Sequence, residues 1–147
     1  MSDLVAAARE VMARAHAPYS GFRVGAALRT RSGRVFTGCN VENAAFGLTF
    51  CAERGAVAAA VAAGEREFVE IAIVSSGGEP TSPCGACRQV LAEFAEDLAI
   101  VLAGDRETVR TSLRELLPSA FRAGNLAARR VGDYSEGRSP KRSRRRK

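Results

Sequence analysis

The chain has 147 residues, 22 basic and 16 acidic side chains, and a formal net charge of +6. This length is typical of one domain with a single core, and an apolar share of 46% argues against a protein that is disordered throughout. No run of residues is both long and apolar enough to span a bilayer, so we expect no membrane-spanning helix and no membrane partner.

The positive charge is concentrated at the C-terminal end. Residues 138–147 carry seven basic side chains and no acidic one, which leaves 15 basic and 16 acidic residues and a net charge of −1 elsewhere. We therefore predict one domain over residues 1–124 and a C-terminal extension over 125–147, disordered and basic from about residue 135. A tail of this kind contacts nucleic acid only nonspecifically, through phosphates, and a purely solvated tail is the simpler interpretation.

Hydrophobic periodicity predicts helices that alternate with short strands. The predicted elements are a helix over 3–15, hairpin strands over 24–30 and 34–40, a helix over 51–63, a strand over 69–75, a helix over 84–97, a strand over 98–103 and a helix over 109–117. Strands separated by helices require at least one parallel pair, so we predict an α/β fold in which helices cover a mixed sheet.

The first predicted helix also bears on cellular location. Its apolar residues are interrupted by charged ones, so the segment lacks the basic-then-apolar order of a signal peptide. We therefore expect a cytoplasmic protein whose four cysteines are reduced, a state that favours metal binding over disulfides.

Two short motifs predict a metal centre. Cys84 and Cys87 are three positions apart and open one predicted helix, while Cys51 opens another. Thiolates at helix N-termini are favoured by the unpaired backbone N–H groups and by the helix dipole. Three thiolates bind Zn²⁺ and leave one position for water, and Glu53, two residues after Cys51, is placed to carry protons. Arg54 is placed to donate to a ligand sulfur and offset its negative charge.

A structural zinc site is the alternative interpretation, with Cys39 as the fourth ligand. Structural sites of this kind usually consist of two close cysteine pairs. Cys39 and Cys51 are twelve positions apart, and Glu53 has no role in such a site. A catalytic zinc is therefore preferred, and Cys39 is expected to be a small buried apolar residue.

Taken together, the motifs resemble those of the cytidine deaminase family in its small, zinc-dependent, homotetrameric form. The resemblance runs from about residue 17 to residue 121, and its matching segments are 18–20, 22–27, 38–44, 51–54, 82–89 and 116–119. It implies a cytidine deaminase-like three-layer α/β/α fold with a mixed central sheet and a homotetramer that binds a nucleoside. In this family a cysteine-coordinated zinc activates the water that attacks cytosine C4, and a glutamate outside the metal shell moves the proton.

The resemblance also implies roles for individual residues. Cys51, Cys84 and Cys87 would be the zinc ligands and Glu53 the proton carrier. The implied substrate-binding residues are Asn40 and Glu42 at the ribose, Phe22 against the nucleoside, Ala52 through its backbone near the base, and Phe121, which would stack on the pyrimidine of a neighbouring subunit.

The implied reaction is hydrolytic deamination of cytidine and 2′-deoxycytidine to uridine and 2′-deoxyuridine with release of ammonia, a step of pyrimidine salvage. A deaminase for another cytosine nucleoside, such as blasticidin S, is the close alternative, and the ribose motif at residues 40–43 argues against it. A tRNA or DNA deaminase is disfavoured because that class usually has a histidine ligand where Cys51 stands. A zinc-stabilised binding module without chemistry is a further alternative. Phe46 stands where the family often has tyrosine.

Overall fold

The computed structural model describes residues 3–126, in which helices and strands alternate much as predicted. The elements are α1 (Asp3–Met12), β1 (Val24–Thr30), β2 (Val35–Cys39), a 3-10 turn (Phe46–Leu48), α2 (Ala52–Ala62), β3 (Phe68–Ser75), α3 (Gly85–Ala92), β4 (Ala99–Ala103), β5 (Thr108–Ser112), α4 (Leu113–Leu116) and a second 3-10 turn (Ala123–Asn125).

The five strands form one mixed sheet in the order β2-β1-β3-β4-β5. The predicted hairpin is confirmed, since β1 pairs antiparallel with β2, and so is the predicted parallel pair, which is β3 with β4. In this topology α2 joins β2 to β3 and α3 joins β3 to β4, so the helices that begin at the cysteine motifs lead into neighbouring central strands.

Helices cover both faces of the sheet. The side chains of β3 alternate between the faces: Ala72 and Val74 pack with α1, whereas Ile71 and Ile73 belong to the cluster that contains α2 and α3. This alternation follows from the pleat of a strand, whose successive side chains point to opposite faces. The predicted three-layer α/β/α architecture is confirmed.

The helix predicted over residues 109–117 is wrong. Residues 108–112 form the edge strand β5, which pairs antiparallel with β4, and only the four residues of α4 are helical. Thr108, Val109 and Thr111 are β-branched and suit a pleated strand, and pairing with β4 outweighs the helical spacing of the apolar residues. A capping box between Ser112 and Glu115 then begins the helix. Helix α3 also ends at residue 92, earlier than predicted.

Two glycines allow helices to lie directly on the sheet. A Cβ atom on Gly38 of β2 would overlap Ala52 O and Ala56 N of α2 and would lie 2.8 Å from Gly55 C. A Cβ atom on Gly25 of β1 would overlap the backbone of α1 in the same way. Because Gly38 has no side chain, the first turn of α2 rests on β2, and this contact determines where the residues of that turn lie.

Two predictions concern the limits of the chain. Across residues 3–126, none of the helices combines the length and the apolar character needed to cross a bilayer. The disordered basic tail predicted from about residue 135 lies outside the described residues and stays a prediction.

Candidate metal centre

Three cysteine side chains meet where two helices begin. Cys51 is the N-cap of α2, Cys84 is the N-cap of α3, and Cys87 lies in the first turn of α3. Their Sγ atoms all lie within 4.8 Å of one another. Neither N-cap side chain caps its own helix, so both sulfurs face the cluster with the positive ends of two helix dipoles behind them.

The cluster holds a thiolate at neutral pH. A hydrogen bond from the Cys87 thiol lowers the pKa of Cys51 to about 5, and Arg54 acts in the same direction. That shared proton, together with burial, raises the pKa of Cys87. The three sulfurs lie close together and share the negative charge of the Cys51 thiolate. A soft cation can bind such a site by replacing the shared protons.

The donor set fits a zinc ion. A tetrahedral zinc with Zn–S bonds of about 2.3 Å separates its sulfurs by about 3.8 Å, within the spacing of these three. Within residues 3–126, the group of side chains able to hold a metal consists of Cys51, Cys84 and Cys87 and does not include Cys39. The arrangement therefore favours three protein ligands over the four-cysteine alternative.

Arg54 supplies positive charge beside the cluster. Its Nη2 atom donates to Thr49 O at 2.9 Å and lies 4.0 Å from Cys51 Sγ, and its guanidinium stacks over Phe50 at 4.9 Å from the ring centre. Its Nε atom is buried without a hydrogen-bond partner among the described residues. A half-buried cation with an unused donor is suited to balance a negatively charged metal–thiolate cluster.

Glu53 lies in the first turn of α2 with only 5% of its surface exposed. Burial raises the pKa of this carboxyl group, because desolvation penalises the charged form. A carboxyl group whose pKa is raised holds a proton more readily than an exposed one, and a general acid–base catalyst must both take up and return a proton.

A cavity of about 330 Å³ opens beside Glu53 and two of the cysteines, and its volume suits a small-molecule ligand. It is mostly apolar with a few polar groups. The predicted residues Phe22, Asn40, Glu42, Cys51, Ala52, Glu53 and Cys84 line it, together with six residues that had no predicted role: Ser20, Val24, Thr49, Ile73, Thr81 and Ser82.

Asn40 uses its amide group to hold the cavity wall. Its Oδ1 atom accepts from Val24 N and its Nδ2 atom donates to Phe22 O, both at 2.8 Å. Asn40 thereby fixes the position of Phe22, which lies two residues before β1. An amide nitrogen carries two protons, so one remains for a ligand.

Glu42 lies at the open side of the cavity. Its Oε1 atom accepts from the backbone N–H groups of Tyr19 and Ser20 at 3.0 and 3.1 Å. Hydrogen bonds from Ser20 lower the pKa of Glu42, so this group is a carboxylate and a hydrogen-bond acceptor. Phe46 lines an adjoining recess with Glu42 and makes an edge contact with Tyr19 at 5.5 Å between ring centres.

Phe121 is not among the residues that line the cavity of its own chain. It is 57% exposed, and its backbone carbonyl accepts a hydrogen bond from Gln89 of α3 at 2.8 Å. The chain thus presents the aromatic ring of Phe121 outward from the helix that carries Cys87.

Arg88 is a residue that sequence reasoning missed. Its guanidinium donates to Pro83 O at 2.8 Å and to Ser82 Oγ at 3.0 Å, which holds the loop before Cys84, and to Leu116 O at 2.7 Å at the end of α4. Two of these acceptors, Pro83 O and Leu116 O, are backbone carbonyl groups, and Leu116 is 28 positions from Arg88. A motif of side chains therefore could not have revealed these contacts.

Similarity to known proteins agrees with this site. Residues 1–104 match the cytidine and deoxycytidylate deaminase zinc-binding region. A probable cytidine deaminase of Dictyostelium discoideum is 43% identical over 92% of this chain and 93% of its own length. A cytidine deaminase crystal structure from Burkholderia pseudomallei is 49% identical, with a TM-score of 0.78 over 82% of this chain and all of its own. More distant is a blasticidin-S deaminase of Bacillus cereus, 31% identical over 67% of this chain and 76% of its own. The chain belongs to the cytidine and deoxycytidylate deaminase family.

Proposed function

We propose that this chain catalyses the hydrolytic deamination of cytidine and 2′-deoxycytidine to uridine and 2′-deoxyuridine, with release of ammonia. The observation that carries this proposal is the position of Glu53, which is buried in the wall of a nucleoside-sized cavity beside three clustered thiols. The reaction replaces an amino group by oxygen from water, so it needs an activated water molecule and a group that moves protons.

The chemistry divides between a metal and the protein. A zinc ion held by Cys51, Cys84 and Cys87 would activate the attacking water by lowering its pKa to about 7. Glu53 accepts a proton from that water at its carboxylate and passes it to the ring nitrogen beside the reacting carbon. It then takes the proton of the new hydroxyl group on that carbon and delivers it to the amino group, which departs as ammonia. The raised pKa of Glu53 supports this role, since each transfer must be reversed within one cycle.

The remaining groups orient the nucleoside. Phe22, 41% exposed and anchored by Asn40, offers an apolar surface to the substrate. The free amide proton of Asn40 and the carboxylate of Glu42 bind ribose hydroxyl groups, and the backbone of Ala52, at the start of α2, contacts the base near the metal. Each group lines the same cavity.

We further propose a cytoplasmic homotetramer that serves pyrimidine salvage and in which Phe121 stacks on the base bound by a neighbouring subunit. Large apolar side chains exposed on this chain support an interface between copies: Phe46 at 73%, Leu48 at 69% and Phe121 at 57%. Phe46 and Leu48 follow the ribose motif closely, so an interface formed there would enclose the cavity.

Purified protein loaded with zinc is expected to convert cytidine to uridine and to process blasticidin S at least tenfold less efficiently, as judged by kcat/KM. The discrimination rests on Asn40 and Glu42, which are placed for a ribose. Ultraviolet absorbance follows both reactions, and metal analysis on the same sample relates activity to zinc content. A higher kcat/KM for blasticidin S than for cytidine would make blasticidin S the proposed substrate. Zinc binding without turnover of cytidine or blasticidin S would favour a binding module.

We propose that the catalytic domain ends at about residue 124 and that residues 125–147 form an extension whose basic part binds nucleic acid nonspecifically at most. Removal of residues 135–147 is expected to leave kcat/KM for cytidine within about twofold and to abolish salt-sensitive RNA binding in a filter assay. RNA affinity that survives the truncation would contradict the assignment of binding to the tail.

A further inference from the structure

Helix α3 is attached to the rest of the chain at both of its ends. Cys84 and Cys87 lie at its beginning, within the metal cluster. Its middle and its end contact the segment over residues 116–125, which begins at the last residue of α4 and contains Phe121. This segment is hereafter called the C-terminal strap.

Gln89 binds the strap at Phe121 itself. Its Nε2 atom donates to Phe121 O at 2.8 Å, across 32 positions of sequence. The next residue is also tied, because Arg122 N donates to Asn125 Oδ1 at 2.8 Å. Both the C=O and the N–H of the peptide group that follows Phe121 are therefore hydrogen bonded, whereas Phe121 as a residue is 57% exposed.

Arg122 binds the C-terminal end of α3. Its Nη1 atom donates to Ala92 O at 2.6 Å and Ala95 O at 3.2 Å, and its Nη2 atom donates to Glu96 O at 3.0 Å. The last carbonyl groups of a helix lack partners within it and lie at the negative end of its dipole. One planar guanidinium satisfies one of them, Ala92 O, together with two carbonyl groups of the loop that follows α3, and it holds the strap against this end of the helix.

The turn before Phe121 also points to a segment held in one conformation. Ser119 has φ = 55°, and among residues 3–126 it is the one non-glycine residue with positive φ. A side chain disfavours this left-handed conformation, which persists where surrounding contacts impose it. Arg88 binds Leu116 O before the turn and Gln89 binds Phe121 O after it, so the same helix holds both sides.

We propose that Gln89 and Arg122 are positioning residues that hold the ring of Phe121 ready to enter the active-site cavity of a second copy of this chain. The inference rests on the proposed function, in which Phe121 stacks on a neighbour's base. An aromatic ring on a prearranged backbone binds without the entropic cost of ordering its segment. Loss of either contact adds that cost to each binding event and leaves the chemical groups in place.

Gln89→Ala and Arg122→Ala are therefore expected to raise KM for cytidine about tenfold, a change equivalent to about 1.4 kcal/mol, and to lower kcat by less than about threefold. Zinc content is expected to stay at the wild-type level. Phe121→Ala measures the effect of removing the ring, and Arg122→Lys, with its single ammonium group, should recover part of the loss.

Arg66→Ala is the matched control. Arg66 makes the same kind of contact beyond the end of α2, where its Nη1 atom donates to Val61 O at 2.8 Å and to Glu65 O at 2.9 Å, and it has no contact with the strap. Its KM is expected to stay within about twofold of wild type. An equal rise in KM for Arg66→Ala would assign the effect to general loss of helix stability and overturn the inference.

A second readout is independent of turnover. The chain contains no tryptophan, so Phe121→Trp introduces a single indole at the position in question. In zinc-loaded protein, adding Gln89→Ala or Arg122→Ala to this variant is expected to lower the fluorescence anisotropy of the indole and increase its quenching by acrylamide. Unchanged anisotropy in both variants would overturn the inference. Gln89→Ala removes only one exposed hydrogen bond and is expected to fold, so the test remains valid if Arg122→Ala is too unstable for kinetics.

The two levels of inference fail in different ways. If Phe121→Ala raises KM but Gln89→Ala and Arg122→Ala do not, the proposed function stands and the positioning role is wrong. If Phe121→Ala leaves KM unchanged, both the stacking role of Phe121 and the positioning role are wrong. If the wild-type chain does not process cytidine, the proposed function fails. The restraint of Phe121 is then tested by anisotropy alone: it is wrong if adding Gln89→Ala or Arg122→Ala to Phe121→Trp leaves the indole anisotropy unchanged.

Discussion

Glu53→Ala is expected to lower kcat for cytidine deamination by about 10²- to 10⁴-fold, the usual contribution of a positioned general acid–base group. Glu53 is not one of the three clustered side chains that fit the metal, so the variant should retain zinc. Truncation to alanine removes a buried carboxyl group that lines the cavity together with Cys51 and Cys84. Steady-state kinetics and metal analysis of the same preparation test both statements.

Two further variants separate proton transfer from packing. Glu53→Gln keeps the shape of the buried side chain and loses only its ability to exchange a proton, so it should be nearly as inactive as Glu53→Ala. Glu70→Gln is the control: this half-buried carboxylate pairs with Arg29 at 3.7 Å on β3, away from the cavity. It should leave kcat unchanged. An active Glu53→Ala variant with full zinc content would remove Glu53 from the mechanism.

Gly38→Ala is expected to lower zinc affinity by about 10- to 100-fold, the range typical of changes that displace a ligand through its surroundings. The new methyl group would overlap Ala52 O and Ala56 N, so α2 must move away from β2. Cys51 precedes that turn and moves with it, whereas Cys84 and Cys87 stay on α3. Competition with a chromophoric zinc chelator measures the affinity, and kcat/KM at saturating zinc shows how much of the site recovers.

Gly25→Ala is the matched control, because it causes a similar overlap with α1 on the opposite face, 2.8 Å from Met12 N. It should lower the unfolding temperature without changing zinc affinity. Gly55→Ala disturbs the same contact with a smaller overlap, because its Cβ would lie 3.3 Å from Gly38 Cα. This variant replaces Gly38→Ala in the experiment if Gly38→Ala does not fold. Equal zinc affinity in the Gly38 and Gly25 variants would show that this packing does not position Cys51.

Much of the candidate site follows from local sequence. Cys84, Cys87, Cys51 and Glu53 could be singled out because each motif lies where a helix begins, so a few neighbouring residues determine where the side chains project. The parallel strand pair was predictable because a helix separates β3 from β4. Roles assigned to Asn40 and Glu42 came from resemblance, since polar loop residues carry no such signal by themselves.

The sequence by itself determined the donor types, their spacing and the order of most elements. Tertiary structure alone decided that residues 108–112 form an edge strand, that Gly38 brings α2 onto β2, and that Gln89 binds the carbonyl group of Phe121 while Arg122 binds the end of α3. The physical reason is range: a helix start depends on adjacent residues, whereas strand pairing, close backbone contact and hydrogen bonds to distant carbonyls depend on residues that only folding brings together.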